Sequence, residues 1–346
     1  MKSVIINGRF MEERMQGIVR YARELTKALD PIITDELNIT LLIPPDAHDV
    51  PEYENIKVMQ IGTCGGIRWE QTALRKYLKS HPDTFCLNLC NVTPLLVQPG
   101  ITAVHDIMYK VRPDYYTSLR NRISRLWHCL QYAYIAKHER KIITVSNFSK
   151  TEIEKTYPAV NGKVEVIPDA WQHVKEYIES SDWQERFPFL KDKQFFFSLA
   201  TLSKNKNGRW IMEAAKKNPD AVFAVGGKHY ETEYTELPTN VHMLGFVSDE
   251  DACALMKHCK AFIFPSLYEG FGLPPLEALA LGAEVISSNT TSLPEVLGSS
   301  VHYIDPNNTD GLIDNLLTEK VGDRNATLAQ YEWSASARKL YEMLRE

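Results

Sequence analysis

Residues 262–282 read FIFPSLYEGFGLPPLEALALG, and the fold follows from how this string divides. Phe262, Ile263 and Phe264 form a strand-like apolar run that stops at Pro265-Ser266. A glycine-rich loop follows, Glu269-Gly270-Phe271-Gly272-Leu273, and a helix is predicted to begin at Pro274 or Pro275, since proline is favoured at the first helical position. Apolar strand, glycine turn and helix together make the unit from which parallel sheets are wound. Glycines let a backbone approach a diphosphate closely, and main-chain N–H groups at a helix start attract anions. Glu269 and Glu277 bracket the loop, and carboxylates accept paired hydrogen bonds from vicinal diols, so one suits a sugar and the other a ribose. The residues alone leave open a plain strand–turn–helix corner, with Glu277 an ordinary acid of the first helical turn.

Outward from this string, short apolar runs alternate with helix-period segments. Strand-like runs stand at 3–6, 39–43, 57–61, 85–89, 102–105, 142–146 and 164–167, then after a break at 195–200, 222–226, 241–245, 262–264, 284–287 and 301–304. In 17–29 (GIVRYARELTKAL) the apolar residues Ile18, Ala22, Leu25 and Leu29 step by 4, 3 and 4, one face of a helix. Continuous apolar strands separated by helices predict two parallel sheets, each series long enough for a doubly wound, Rossmann-like domain. The alternation breaks over 168–190, the expected linker, and the expected division is 1–170, 171–330 and a terminal helix over 331–346. The predicted fold class is α/β, two domains facing a cleft, with ligands beyond the carboxyl ends of the strands.

Composition narrows the function classes. The 346 residues are 44% apolar and 24% charged with formal net charge −5, near the globular average, which excludes disordered, collagen-like and coiled-coil chains. No apolar run approaches the roughly 18 residues of a membrane span. The start, MKSVIINGRF, turns polar too soon for a secretion signal. Cysteines at 64, 86, 90, 129, 253 and 259 fit neither a disulfide framework nor a zinc site, the Cys86-x3-Cys90 pair lacking a second pair. A reducing, cytoplasmic setting is expected.

Charge is uneven. Residues 1–170 hold 22 Lys and Arg against 19 Asp and Glu, and the remainder 17 against 25. In 110–141, Lys110, Arg112, Arg120, Arg122, Arg125, Lys137, Arg140 and Lys141 face only Asp114 and Glu139. An acidic chain is not expected to read nucleic acid. The basic stretch suits anionic lipid headgroups or a lipid-diphosphate acceptor as well as it suits a solvated helix face.

The string EGFGLPPLE (269–277) resembles the E-x7-E signature of retaining glycosyltransferases of family 4, which have the GT-B fold. The resemblance continues through ALALGAEVISSNTTSLPEVLG (278–298) and YIDPNN (303–308), and upstream through LGFVSDEDACALMKHCKAFIFPS (244–266). GIVRYAREL (17–25) is similar to a helix of members that build bacterial surface polysaccharides, O-antigen and capsule. The resemblance implies two Rossmann-like domains, with the terminal helix packing back on the first. It implies that Glu277 holds the nucleotide ribose and Glu269 the donor sugar, with backbone at Gly270, Phe271, Gly272 and Leu273 touching sugar and diphosphate. Lys206, in TLSKNKN (201–207), matches a diphosphate-binding lysine. Relatives add an arginine nearby, where this chain has Thr201 and Asn205; Lys204 is the candidate replacement, as a point charge without the bidentate fork. Phe246 and Val247 match the main chain that receives the nucleobase, and Gly226 and Gly227 are further candidates to line the nucleotide site. His105, closing the TAVH run before Asp106, matches a histidine facing the donor sugar; without the resemblance it reads as a buried strand-end histidine. Gly17 matches a glycine that lets the helix start approach diphosphate or acceptor, and otherwise reads as an N-cap.

The implied activity is a metal-independent, retaining transfer of a hexose, mannose or rhamnose favoured, from a nucleotide-diphosphate sugar to a growing, lipid-linked glycan. No D-x-D aspartate pair is read for a divalent ion, and no cofactor is expected. Lys206, the loop amides and the helix dipole are expected to take the charge of the leaving group, with His105, Glu269 and Lys206 at the chemistry. Another GT-B enzyme, such as a sugar-nucleotide epimerase, stays open as an alternative, and so does an inactive GT-B partner module. A phosphorylase would need a lysine for pyridoxal phosphate, and no local signature supports one. Peripheral contact with the cytoplasmic membrane face is an expectation from the basic stretch.

Overall fold

The structure, a computed structural model, describes residues 2–177, 182–199, 204–227, 236–309 and 313–346. The chain divides into two units, Met1–Asp169 with Glu332–Glu346, and Ala170–Tyr331.

The first unit holds a seven-stranded parallel sheet: β1 (Lys2–Asn7), β2 (Leu37–Ile43), β3 (Lys57–Gln60), β4 (Thr84–Asn88), β5 (Ile101–Ala103), β6 (Lys141–Thr144) and β7 (Val164–Val166). Its order is β3-β2-β1-β4-β5-β6-β7, so the winding reverses between β1 and β4. Strands of Val, Ile and Leu with both faces buried need helices on both sides, and the intervening segments supply them. Helix α1 (Gly17–Leu29) buries Val19, Tyr21, Ala22, Leu25 and Leu29. Helix α2 (Leu119–His138) starts where Ser118 Oγ accepts the Asn121 N–H, and it buries Tyr132, Ile135 and Ala136.

The second unit holds a six-stranded parallel sheet: β8 (Phe195–Leu199), β9 (Val222–Gly226), β10 (Val241–Gly245), β11 (Ala261–Phe264), β12 (Val285–Ser288) and β13 (His302–Ile304). The order β10-β9-β8-β11-β12-β13 reverses between β8 and β11. Three of its helices matter below: α3 (Gly208–Lys217), α4 (Asp249–His258) and α5 (Leu273–Ala280). The chain returns to the first unit with α6 (Trp333–Arg345), which packs on α1 and whose Ser336 Oγ donates to Pro168 O.

Every apolar run read as strand-like is a strand, with ends shifted by at most two residues where they are described. One of the two-residue shifts concerns His105. It does not close β5, which ends at Ala103. Asn91, in the left-handed region at φ +58°, presents Oδ1 to the His105 N–H at 2.7 Å, so that amide leaves the ladder for a side chain.

Candidate active site

In the second unit the winding reverses between β8 and β11, and the carboxyl ends of these two strands carry the sequence-predicted residues. Beyond β8, Lys204–Lys206 form a 3-10 turn ending in Asn207, whose φ of +56° swings its side chain back. Asn207 Nδ2 donates to Pro265 O at 3.0 Å and to Pro306 O at 2.8 Å, and the Leu267 N–H donates to Asn205 O at 2.8 Å. These three bonds lay the lysine turn against the motif loop. Lys206 Nζ is then 2.7 Å from Glu269 Oε1 and 5.1 Å from the centre of the Phe264 ring. An ammonium has three donors, so Glu269 uses only part of its capacity.

The motif loop is held from behind by the residues after β12. Thr291 Oγ1 accepts the Glu269 N–H at 3.2 Å, and Ser292 Oγ lies 3.0 Å from both Glu269 O and Phe271 O. Phe271 is buried edge-on against Tyr331, ring centres 5.3 Å apart. Gly272 caps α5 at φ +101°, where a Cβ would overlap the Leu293 side chain, so conformation and packing both demand glycine. The helix begins at Leu273, one residue before the expected prolines. Pro274 and Pro275 carry no N–H, so the donors of this helix start are the amides of Phe271, Gly272 and Leu273. None of the three donates to another group among the described residues.

Glu277 is not an acid of the first turn. It is the fifth residue of α5, buried, with Oε1 2.7 Å from His173 Nε2. A carboxylate only accepts, so Nε2 carries the proton. His173 sits in the short 3-10 turn Gln172–Glu176 within the expected linker, where a lone histidine gave no sequence signal. Thr291 and Ser292 were also missed; their signal was the polar SSNTTS run between a strand and a helix.

At the carboxyl ends of β9 and β10 the Gly227 N–H donates to Gly245 O at 2.7 Å, and a Cβ on Gly226 would press on Val247 Cγ2 at 3.0 Å. Gly226, Gly227 and Val247 therefore meet, and Phe246 beside them is 84% exposed. Lys204 is exposed. Of the two positions weighed for the relatives' arginine, Asn205 works through its carbonyl, and Thr201 lies outside the described residues.

D-x-D spacing does occur once, at Asp249 and Asp251, contrary to the reading above. Both are in the first turn of α4. There the Asp251 N–H donates to Ser248 Oγ at 3.2 Å, and the Asp251 carboxylate accepts from Arg186, whose Nε lies 2.8 Å from Oδ1 and 2.7 Å from Oδ2. No cluster of three His, Cys, Asp or Glu side chains suited to a metal is present among the described residues, and the six cysteines are thiols.

The first unit places His105 and Gly17 near one another through Tyr21. The Tyr21 ring meets His105 edge-on at 4.7 Å, and Tyr21 lies one turn beyond Gly17 on α1. His105 Nε2 is 2.9 Å from Leu89 O, and a carbonyl can only accept, so Nε2 is protonated and Nδ1 is the ring's acceptor. Burial lowers the His105 pKa to about 4, offset in part by the Leu89 carbonyl, so the ring is neutral near pH 7. Gly17 is the first helical residue and not the N-cap, which is Gln16. A Cβ on Gly17 would meet nothing within 4 Å, so its lack of a side chain answers no packing demand inside this unit.

A family model described as "Glycosyl transferases group 1" matches residues 179–325. The O-antigen chain mannosyltransferase B of Escherichia coli is 30% identical, over 94% of this chain and 92% of that protein. The O-antigen chain mannosyltransferase RfbU of Salmonella typhimurium is 27% identical, over 75% and 73%. Among solved structures, Anabaena Alr3699/HepE in complex with UDP-glucose superposes with TM-score 0.70 at 17% identity, covering 99% of both chains.

Proposed function

Because the chain belongs to the group 1 glycosyl transferases and has the GT-B fold, we infer that it moves a hexose from a nucleotide-diphosphate sugar to a growing glycan, with retention and without a divalent ion. Mannose is the favoured hexose, since two relatives are named O-antigen chain mannosyltransferases, and a lipid-linked polysaccharide intermediate is the favoured acceptor. Peripheral contact with an anionic membrane surface belongs to the same reading. The observation that carries it is the Lys206–Glu269 pair at 2.7 Å, set at the winding reversal where open α/β sheets bind ligands.

As the bond from the anomeric carbon to the leaving oxygen breaks, negative charge grows on the diphosphate. The Lys206 ammonium and the amides of Phe271, Gly272 and Leu273 take that charge, and one preorganised donor of this kind is worth roughly 3–4 kcal/mol in the transition state. The acceptor hydroxyl attacks the face the nucleotide leaves, and its proton passes to the departing phosphate oxygen. Glu269, already engaged by Lys206, holds sugar hydroxyls and is a poor covalent nucleophile. Glu277 accepts from the ribose diol, one oxygen steadied by His173. His105 offers a neutral acceptor, which adds no positive charge beside an oxocarbenium-like carbon.

The test incubates purified protein with GDP-mannose, UDP-glucose or dTDP-rhamnose in EDTA, with and without a lipid-linked mannan acceptor. Release of GDP from GDP-mannose that requires the acceptor is expected. Release that ignores the acceptor, or none from any donor, overturns the reading.

A further inference from the structure

Helix α2 presents an outward apolar row that the reaction does not use. Leu119, Ile123, Leu126 and Leu130 are 76%, 63%, 61% and 58% exposed. Their spacing of 4, 3 and 4 sets them in one line along the helix. The opposite face, with Gln131, Tyr132, Ile135 and Ala136, is buried in the first unit, so the row points away from that core. Leu96 adjoins it: its N–H donates to Tyr134 Oη of α2 at 2.7 Å, and its side chain is 64% exposed. The φ of Leu96, +60°, lies in the left-handed region that a leucine enters only at a cost. Single exposed leucines need no explanation, but a contiguous row of this kind marks an interaction surface.

Charge says what covers it. Helix α2 contains Arg120, Arg122, Arg125 and Lys137 and no Asp or Glu. At about 100° per residue, Arg120 and Arg122 fall on opposite flanks of the row, and Lys137 continues its line beyond Leu130. All three are exposed, whereas Arg125 turns inward, its Nε donating to Tyr109 O at 2.9 Å. A second copy of this helix laid on the row would bring cations against cations. An apolar row with cations on both flanks matches the boundary between acyl chains and anionic headgroups.

We propose that α2 lies in the plane of an anionic lipid surface. Leu119, Ile123, Leu126 and Leu130 enter the acyl boundary, and Arg120, Arg122 and Lys137 meet lipid phosphates. The purpose of such docking, access to a lipid-linked acceptor, rests on the functional reading above; the surface itself stands on exposure and charge.

The full chain is sedimented with phosphatidylcholine vesicles with and without phosphatidylglycerol, at low and high salt. Binding to the phosphatidylglycerol vesicles that weakens with salt is expected. The Ile123→Glu/Leu126→Glu variant is expected to lower the vesicle association constant at least about tenfold. An Arg120→Ser/Arg122→Ser variant is expected to lose the preference for phosphatidylglycerol. Both pairs are exposed, and unchanged thermal melting shows that each variant folds. Absent vesicle binding, or binding that the Ile123→Glu/Leu126→Glu variant retains in full, overturns the proposal. A wild-type dimer that this variant dissociates overturns it in favour of self-pairing. Vesicle binding by a wild type that transfers no sugar supports the surface and fails only the functional reading.

Discussion

His173 Nε2 lies 2.7 Å from Glu277 Oε1, joining two buried side chains that stand 104 residues apart. A hydrogen bond to a charged group contributes about 1.5–3 kcal/mol, and removing it takes away one of the contacts that orient the buried carboxylate. His173→Ala is expected to raise the donor KM roughly tenfold or more with a smaller change in kcat. His173→Gln, which keeps a donor at similar reach, is expected to recover most of the loss. Steady-state kinetics decide: an unchanged KM in the alanine variant would show that Glu277 is oriented without the histidine.

Lys206 and Glu277 are expected to matter to turnover separately. Lys206→Ala removes the ammonium that takes the leaving group's charge and leaves Glu269 without its partner. Glu277→Ala removes the acceptor for the ribose. Each is expected to lower kcat/KM at least about tenfold, about 1.4 kcal/mol. Wild-type kinetics in both variants would remove the site assignment.

Gly272 is expected to tolerate no side chain. Gly272→Ala forces a residue with a Cβ to φ +101° and into Leu293, at a cost of about 1–3 kcal/mol from the backbone alone. The urea midpoint of the variant should fall, and Leu293→Ala, destabilising by itself because Leu293 is fully buried, should cost less in the Gly272→Ala background than in wild type, where no clash is relieved. A midpoint equal to wild type would mean that the loop can adopt another conformation.

His105 is expected to impose a pH dependence on stability. Its pKa is about 4 when folded against 6.5 ordinarily, so protons bind the unfolded chain more tightly. Its contribution is complete above about pH 6.5 and is lost as the pH falls toward 4, with no further loss below that. The full effect is of the order of 3 kcal/mol. Denaturation of wild type and His105→Gln across this range should give a shallower slope for the variant; parallel slopes would contradict the burial argument.

Much of the fold was legible because parallel strands buried on both faces read as unbroken apolar runs, and Phe262–Phe264 or Val222–Gly226 admit no other reading between their turns. The motif residues of α5 were legible as well, since glycine, proline and carboxylate are adjacent in the chain. Contacts between distant segments were not. Nothing in VKEYIES or the residues before it announces that His173 reaches Glu277, and the partnership of Lys206 with Glu269 depends on the αL turn at Asn207. Helix α2 hid its direction for another reason: apolar residues stand on both its faces, so periodicity alone could not say that Leu119, Ile123, Leu126 and Leu130 face outward. The His105 position misled because Asn91, fourteen residues earlier, takes the amide that would have extended β5.

The central claim is that a diphosphate is gripped by Lys206 Nζ and the amides of Phe271, Gly272 and Leu273. A crystal structure with GDP bound in EDTA tests this most directly. Phosphate oxygens within hydrogen-bond distance of those four nitrogens, with the ribose on Glu277, are the predicted result. A diphosphate lodged away from residues 269–277, or GDP that binds only when manganese or magnesium is supplied, would contradict it.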